Sequence, residues 1–202
     1  MKRRHFLATT APATLLGTAG CLSSLSGREV NGEIRPDYDP EVIPVALACD
    51  EEGVSRHNRV IRDDVQWGGT DEFALRVERL SYAYGETANI TLTHTSSGQA
   101  ATGSSLKFLF QLYTKNGWQD VRVTPEDSSG IAPPDERLHH DSTEIFTWSL
   151  ELTESGLETA PFESIVTVCP DLLAGRYRFL YYGLDKPVAV AFDLQRETTQ
   201  RR

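Results

Sequence analysis

From Phe73 to Leu194, apolar residues recur at every second position in run after run. Phe73, Leu75 and Val77 share one side of the first run, with Ala74, Arg76 and Glu78 on the other. Ala88, Ile90 and Leu92 alternate with Thr87, Asn89, Thr91 and Thr93. Leu106, Phe108, Phe110 and Leu112 alternate with Lys107 and Gln111, and Trp118–Val123 forms a return run. Phe146, Trp148, Leu150 and Leu152 follow, then Tyr177, Phe179 and Tyr181, then Val188, Val190, Phe192 and Leu194. A period of two sends one side of a pleated strand to a core and the other to water, whereas a helix needs a period of 3.6. The chain is therefore expected to be all-β, an antiparallel β-sandwich of about seven strands. A closed barrel stays open as the alternative, because periodicity does not count sheets.

The segments between the runs are less regular. Asn116-Gly117 predicts a tight hairpin turn, since both residues tolerate positive φ. Residues 125–142 are rich in Pro, Ser, Asp and Glu and carry His139-His140, which reads as a surface loop. Residues 154–170 contain Ile165-Val166-Thr167-Val168-Cys169 and have room for a short helix or an extra strand. Ahead of the first run, Val42–Leu47 is apolar but holds Pro44, so it makes an edge strand at best. Residues 53–69 show no clear period and read as loop, with one possible strand around Arg59–Val65.

The first twenty residues have a different character. Lys2, Arg3 and Arg4 precede a weakly apolar stretch that ends in small residues before Cys21. That order predicts an export signal over 1–20, with Cys21 as a lipid-attachment site. Arg3-Arg4-His5-Phe6-Leu7 resembles the core of a twin-arginine lipoprotein signal, and Thr18-Ala19-Gly20-Cys21 resembles a lipobox. An ordinary secretory signal or a short N-terminal anchor is the alternative. Residues 21–41 then read as a lipid-attached flexible tether, with Ser23, Ser24, Ser26, Gly27, Gly32, Pro36 and Pro40 among charges. No later apolar run approaches the ~20 residues needed to span a bilayer, so the lipid on Cys21 would be the membrane contact.

Charge narrows the partners. The whole chain has a net charge of −9, and residues 1–20 hold three of the twenty basic residues and none of the acids. The remainder is thus near −12, a surface that repels nucleic acid. Lysine occurs only at positions 2, 107, 115 and 186. An acid-rich, lysine-poor surface suits a halophilic host, where salt screens self-repulsion, or simply an acidic exported protein. Beyond Cys21 two cysteines remain, Cys49 and Cys169. In an oxidising compartment they read as one disulfide, with two buried free thiols as the alternative.

Three motifs carry a resemblance. Tyr84-Gly85-Glu86-Thr87-Ala88-Asn89-Ile90-Thr91-Leu92, Phe110-Gln111-Leu112-Tyr113 with Asn116-Gly117-Trp118, and Leu173-Ala174-Gly175-Arg176-Tyr177-Arg178-Phe179 occur in that order. Over residues 73–195 the chain resembles a bacterial immunoglobulin-like domain family of exported proteins. The resemblance implies a sandwich fold and an extracytoplasmic setting, and it carries no catalytic residues. A similar-looking sandwich family inhibits proteinases. In the last motif Gly175 permits a tight turn into the strand, and Tyr177 is placed to bond a backbone carbonyl at the sheet corner or to serve as a plain core tyrosine.

No constellation for catalysis or metal binding emerges. A blue-copper centre needs two His, a Cys and an axial Met, yet no His or Met follows Cys169. His139-His140 with Asp135, Glu136 and Asp141 groups imidazoles and carboxylates, but neighbours in an extended chain point opposite ways. His57 and His94 stand alone, and no Gly-x-Ser-x-Gly elbow is present. Asn89-Ile90-Thr91 is a glycosylation sequon, with Asn89 and Thr91 on an outward face. The expected layout is a signal peptide at 1–20, a tether at 21–41, an N-terminal extension at 42–72 and an immunoglobulin-like sandwich at 73–196. The expected function is a non-catalytic binding or structural module, lipid-anchored on the extracytoplasmic face of the membrane, without cofactor. Its partner would be a protein or surface polymer and not nucleic acid. A proteinase inhibitor acting through loop 125–142 is the alternative.

Overall fold

A computed structural model describes residues 30–56, 65–127, 133–141, 143–158 and 166–196. Arg3, Arg4 and Cys21 lie outside the described residues, as do the signal peptide, the first part of the tether, His57 and most of the possible strand at Arg59–Val65. Fourteen strands are described: β1 (Val54–Arg56), β2 (Gln66–Trp67), β3 (Phe73–Val77), β4 (Ser81–Ala83), β5 (Thr87–His94), β6 (Ala100–Thr102) and β7 (Phe108–Thr114). They continue as β8 (Gly117–Asp120), β9 (Arg122–Pro125), β10 (Leu138–His140), β11 (Glu144–Glu151), β12 (Thr167–Val168), β13 (Gly175–Tyr181) and β14 (Val188–Gln195). One short helix, α1, spans Glu154–Glu158. The all-β expectation holds, and the long strands are those the alternation marked.

Two sheets form the sandwich. One has the order β11-β5-β3, and the other runs β2-β14-β13-β7-β8 with β4 also on β14. The chain changes sheet between β3 and β4. β3 lies antiparallel to β5, and four residues later β4 lies parallel to β14. A chain that changes sheet in this way ties the two sheets together at their edge. The inward residues of both sheets merge into one core, in which Leu75, Ile90, Leu92, Phe110, Leu112, Tyr177, Phe179 and Phe192 are fully buried. Each such side chain contributes roughly 1.5–3 kcal/mol. Phe110 stacks on Tyr177 at 5.2 Å and Phe108 on Phe179 at 5.0 Å, so adjacent strands are also held ring to ring.

Two local features depart from the sequence reading. In the β7–β8 hairpin, Thr114 pairs with Gly117, and Gly117 alone takes positive φ (89°). Asn116 keeps negative φ, so the turn centres on Lys115-Asn116 with Gly117 closing it, and Thr114 Oγ1 accepts the Asn116 N–H at 3.2 Å. The return run Trp118–Val123 is not one strand but two. Asp120 ends β8 because its carboxylate accepts the backbone N–H groups of Phe110 (3.2 Å) and Arg122 (2.9 Å). The chain then leaves the large sheet, and β9 pairs with β1 and β12 instead. Residues 154–170, expected to hold a short helix or an extra strand, hold one of each, α1 and β12. Val42–Leu47 forms no strand, although the Pro44 carbonyl accepts the Lys115 N–H at 2.9 Å.

Residues 30–41, expected to finish a tether, run along the sandwich. Glu33 bridges to Val77, the Ile34 carbonyl accepts the Ala191 N–H, and Tyr38 lies under Arg176. Further on, Cys49 and Cys169 form a disulfide with Cα atoms 5.3 Å apart. Arg56 reinforces that junction by donating to the carbonyls of Leu47, Cys169 and Asp120. The extension is thus stapled to the segment that leads into β13.

Candidate functional site: a polar cleft at one end of the sandwich

A concavity of about 750 Å³ opens where β5 ends and β7 begins, and where β13 ends and β14 begins. Its walls are the β5–β7 connection, residues 182–186, the Thr70–Glu72 turn and residues 135–137. In a two-sheet sandwich the loops between strands gather at its two ends. Here the walls are knitted together through the backbone. Gly103 N–H donates to the Gly183 carbonyl at 2.6 Å and Tyr182 N–H to the Lys107 carbonyl at 2.9 Å. Tyr181 donates its hydroxyl to the Gly103 carbonyl at 2.8 Å, and Trp148 Nε1 donates to the Ser105 carbonyl at 2.9 Å. Burial raises Tyr181 to about 12, so its hydroxyl remains a donor at neutral pH.

Charges of both signs face the cleft. Lys107 pairs with Asp135 at 2.5 Å, while Asp71, Glu72, Glu136 and Asp185 stand with Arg137 and Lys186 around it. Two of the chain's four lysines lie here. The apolar lining is small, chiefly Phe73, Ala100 and Leu184. Such a site suits a hydrogen-bonding ligand better than an apolar one, which would need a mostly hydrophobic wall. His94, among the lining residues, is buried, meets the Phe73 ring at a tilt with centroids 5.5 Å apart and shares a hydrogen bond with Ser96 Oγ at 2.8 Å.

The sequence-marked groups fall as follows. His139 and His140 sit on β10, which pairs with β6, and they point apart. His139 is exposed, whereas His140 Nε2 lies 2.8 Å from Thr102 Oγ1 and its ring meets Phe146 edge-on. Burial lowers the His140 pKa, with help from His139 and against Asp141. The histidine–carboxylate group therefore does not converge. Among the described residues, the one grouping with metal-like spacing is Cys49, Glu51 and Cys169, whose sulfurs are joined in the disulfide. Asn89 lies on the outer face of β5, with Ile90 fully buried beside it. Its side-chain amide donates to Glu78 at 2.9 Å and accepts from Ser149 at 2.8 Å.

The cleft itself was not read from the sequence. The short β6–β10 ladder that brings residues 135–137 over it has almost no periodic signal in Ala100-Ala101-Thr102 and Leu138-His139-His140. The one available hint was the clustering of scarce lysines, at 107 and 186, beside strand boundaries. Compared with protein-family models, curated proteins and solved structures, the chain matches none.

Proposed function

We propose that the chain is an extracytoplasmic lipoprotein, exported on the twin-arginine signal at Arg3-Arg4 and held to the membrane by a lipid on Cys21. Its sandwich, of the bacterial immunoglobulin-like kind, acts as a non-catalytic binding module that seats a polar protein or surface-polymer partner in the loop-end cleft. The observation that carries this reading is the cleft itself, whose walls are pinned by backbone bonds between residues 103 and 183 and between 107 and 182. Rigid walls lower the ordering cost of binding. The disulfide suits an oxidising compartment.

Two experiments test the proposal. Cys21→Ser should release the protein from the membrane or block its processing, and unchanged retention with normal processing would remove the anchor. Capture from intact membranes should yield a partner whose recovery falls when Arg137 and Lys186, both at the cleft, are changed to Glu. Recovery indifferent to that change would remove the cleft from the proposal. A second reading is a proteinase inhibitor. Loop 125–142 favours it, because its ends are pinned by β9 and by β10 while Pro134–Arg137 is exposed. Inhibition across a protease panel, lost on cutting that loop, would decide for it.

A further inference from the structure

The outer face of the six-stranded sheet carries aromatic rings and arginines in one cluster. Trp118 on β8 lies 5.1 Å from Tyr113 on β7 and 6.3 Å from Trp67 on β2. The Arg178 guanidinium sits 4.5 Å from the Trp118 ring centroid, and that of Arg35 sits 4.9 Å from the Trp67 centroid. Trp67, Trp118 and Tyr113 are half-buried, so ring surface still meets solvent. Below them Leu109, Leu180 and Ala189 form a small apolar floor.

Apart from Arg137 at the cleft, the described arginines outside this cluster have polar partners. Arg79, Arg122, Arg176 and Arg196 each hold a carboxylate. Arg56 and Arg76 are spent on backbone carbonyls. Arg35 and Arg178 form no ion pair among the described residues, in a chain with 29 acids. Arg178 Nε and Nη2 both turn to the neutral Gln111 Oε1. Burial lowers Arg178 to about 10, which leaves it charged at neutral pH with no counter-ion. A guanidinium in that position gains from an anion, and its planar fork matches carboxylate or sulfate oxygens.

The backbone groups of β7, β13 and β14 are used within the sheet, so this face offers a ligand only rings and charge. A peptide recognised through its main chain would pair with an edge strand of the sheet and not lie across this face. A nucleic-acid strand also has bases to stack, but its phosphates need a continuous run of cations along the backbone, and this cluster offers Arg35 and Arg178 alone. A pyranose ring presents a flat face of C–H groups, weakly positive and suited to the negative face of an indole. We propose that this face binds an acidic polysaccharide, its sugar rings on Trp67 and Trp118 and its carboxylate or sulfate groups on Arg35 and Arg178. This site is separate from the loop-end cleft and does not depend on it.

Titrating the full chain with polygalacturonate, dextran sulfate and neutral dextran, and following tryptophan emission, tests the proposal. Trp148 is buried in the core, so a spectral change reports Trp67 and Trp118. Either acidic polymer is expected to bind and shift the emission, neutral dextran is not, and the stronger of the two identifies the anion. Arg35→Gln, at an exposed position, should weaken binding roughly five-fold. Arg178→Gln should weaken it more. Because Arg178 is packed under Trp118, Trp118→Phe supplies a variant that keeps a ring while reducing the stacking surface, and it too should weaken binding. The proposal fails if neither acidic polymer binds. It fails equally if Arg35→Gln and Trp118→Phe bind as the parent does, or if polyglutamate or oligo(dT) binds as tightly as the polysaccharides.

Discussion

The hydroxyl of Tyr177 donates to the backbone carbonyl of Leu173, four residues upstream, at 2.7 Å. Tyr177 is fully buried at the start of β13, and its ring stacks on Phe110. The bond fixes the turn that carries the chain from Cys169 into the large sheet. Gly175, within that turn, has φ of 150°, and a Cβ there would come within 3.0 Å of Leu112 Cδ1. Burial raises the Tyr177 pKa well above its ordinary value, so the donor is not lost in the accessible alkaline range.

Tyr177→Phe should leave the ring packing intact and strip the Leu173 carbonyl of its partner. The expected loss is about 1–2 kcal/mol, measured by urea unfolding with an unchanged slope. A loss indistinguishable from zero would mean that the corner is held by packing alone.

A second bond pattern concerns Asp120 and Arg122, both nearly inaccessible. Asp120 Oδ1 accepts from Arg122 Nε at 2.9 Å and Oδ2 from Nη2 at 2.9 Å, and Nη2 also donates to the Phe108 carbonyl. Asp120→Ala would leave a buried guanidinium without its counter-ion, at an expected cost of about 3–5 kcal/mol. Replacing both residues by Leu and Met should cost less than the single change, since no buried charge is then orphaned. Denaturant midpoints for the single and double variants would show the order, and a double variant less stable than the single one would overturn it.

The inward face of every long strand was legible, because a buried sheet face forces strict alternation and nothing else in a chain imitates it. Tyr177 was legible for the same reason, helped by the Gly175 turn. Less visible was the outer face of the large sheet. Leu109, Leu180, Ala189 and Ala191 occupy the positions expected to be polar, and all four are buried, the first three under Val65, Trp67 and Tyr182. A strand buried on both faces loses its period of two, as the Phe179–Tyr181 end of β13 and the Val188–Phe192 part of β14 do. The break at Val121 was hidden too, since a carboxylate that ends a ladder looks, in sequence, like any polar residue on a strand.

His140 gives the fold a pH dependence. Its pKa is lowered in the folded chain, so below the ordinary value of about 6.5 the unfolded chain takes up the proton first. Stability from this residue is therefore complete above that value and falls as pH drops through it toward the folded pKa. His140→Gln abolishes the titration. The melting temperature of the parent should exceed that of the variant at pH 7.5, and the gap should narrow at pH 5.5. A gap that stays constant or widens on acidification would contradict the assignment.

The Cys49–Cys169 disulfide closes a loop across a sequence separation of 120. In the chain-entropy account, a cross-link over so long a loop is worth about 4–5 kcal/mol through the unfolded state. Folded contacts add to this, because the bond holds the segment whose Leu47 N–H donates to Gln119 Oε1 at 2.8 Å and whose carbonyl receives Arg56. Cys49→Ser and Cys169→Ser should each lower stability by a similar amount, and the double variant should cost little more, since all three remove one bond. Thermal unfolding would give the three shifts. Thiol titration of the denatured, unreduced protein without its first twenty-one residues should find no free thiol. Two titratable thiols, or additive losses in the double variant, would show that the cysteines act apart.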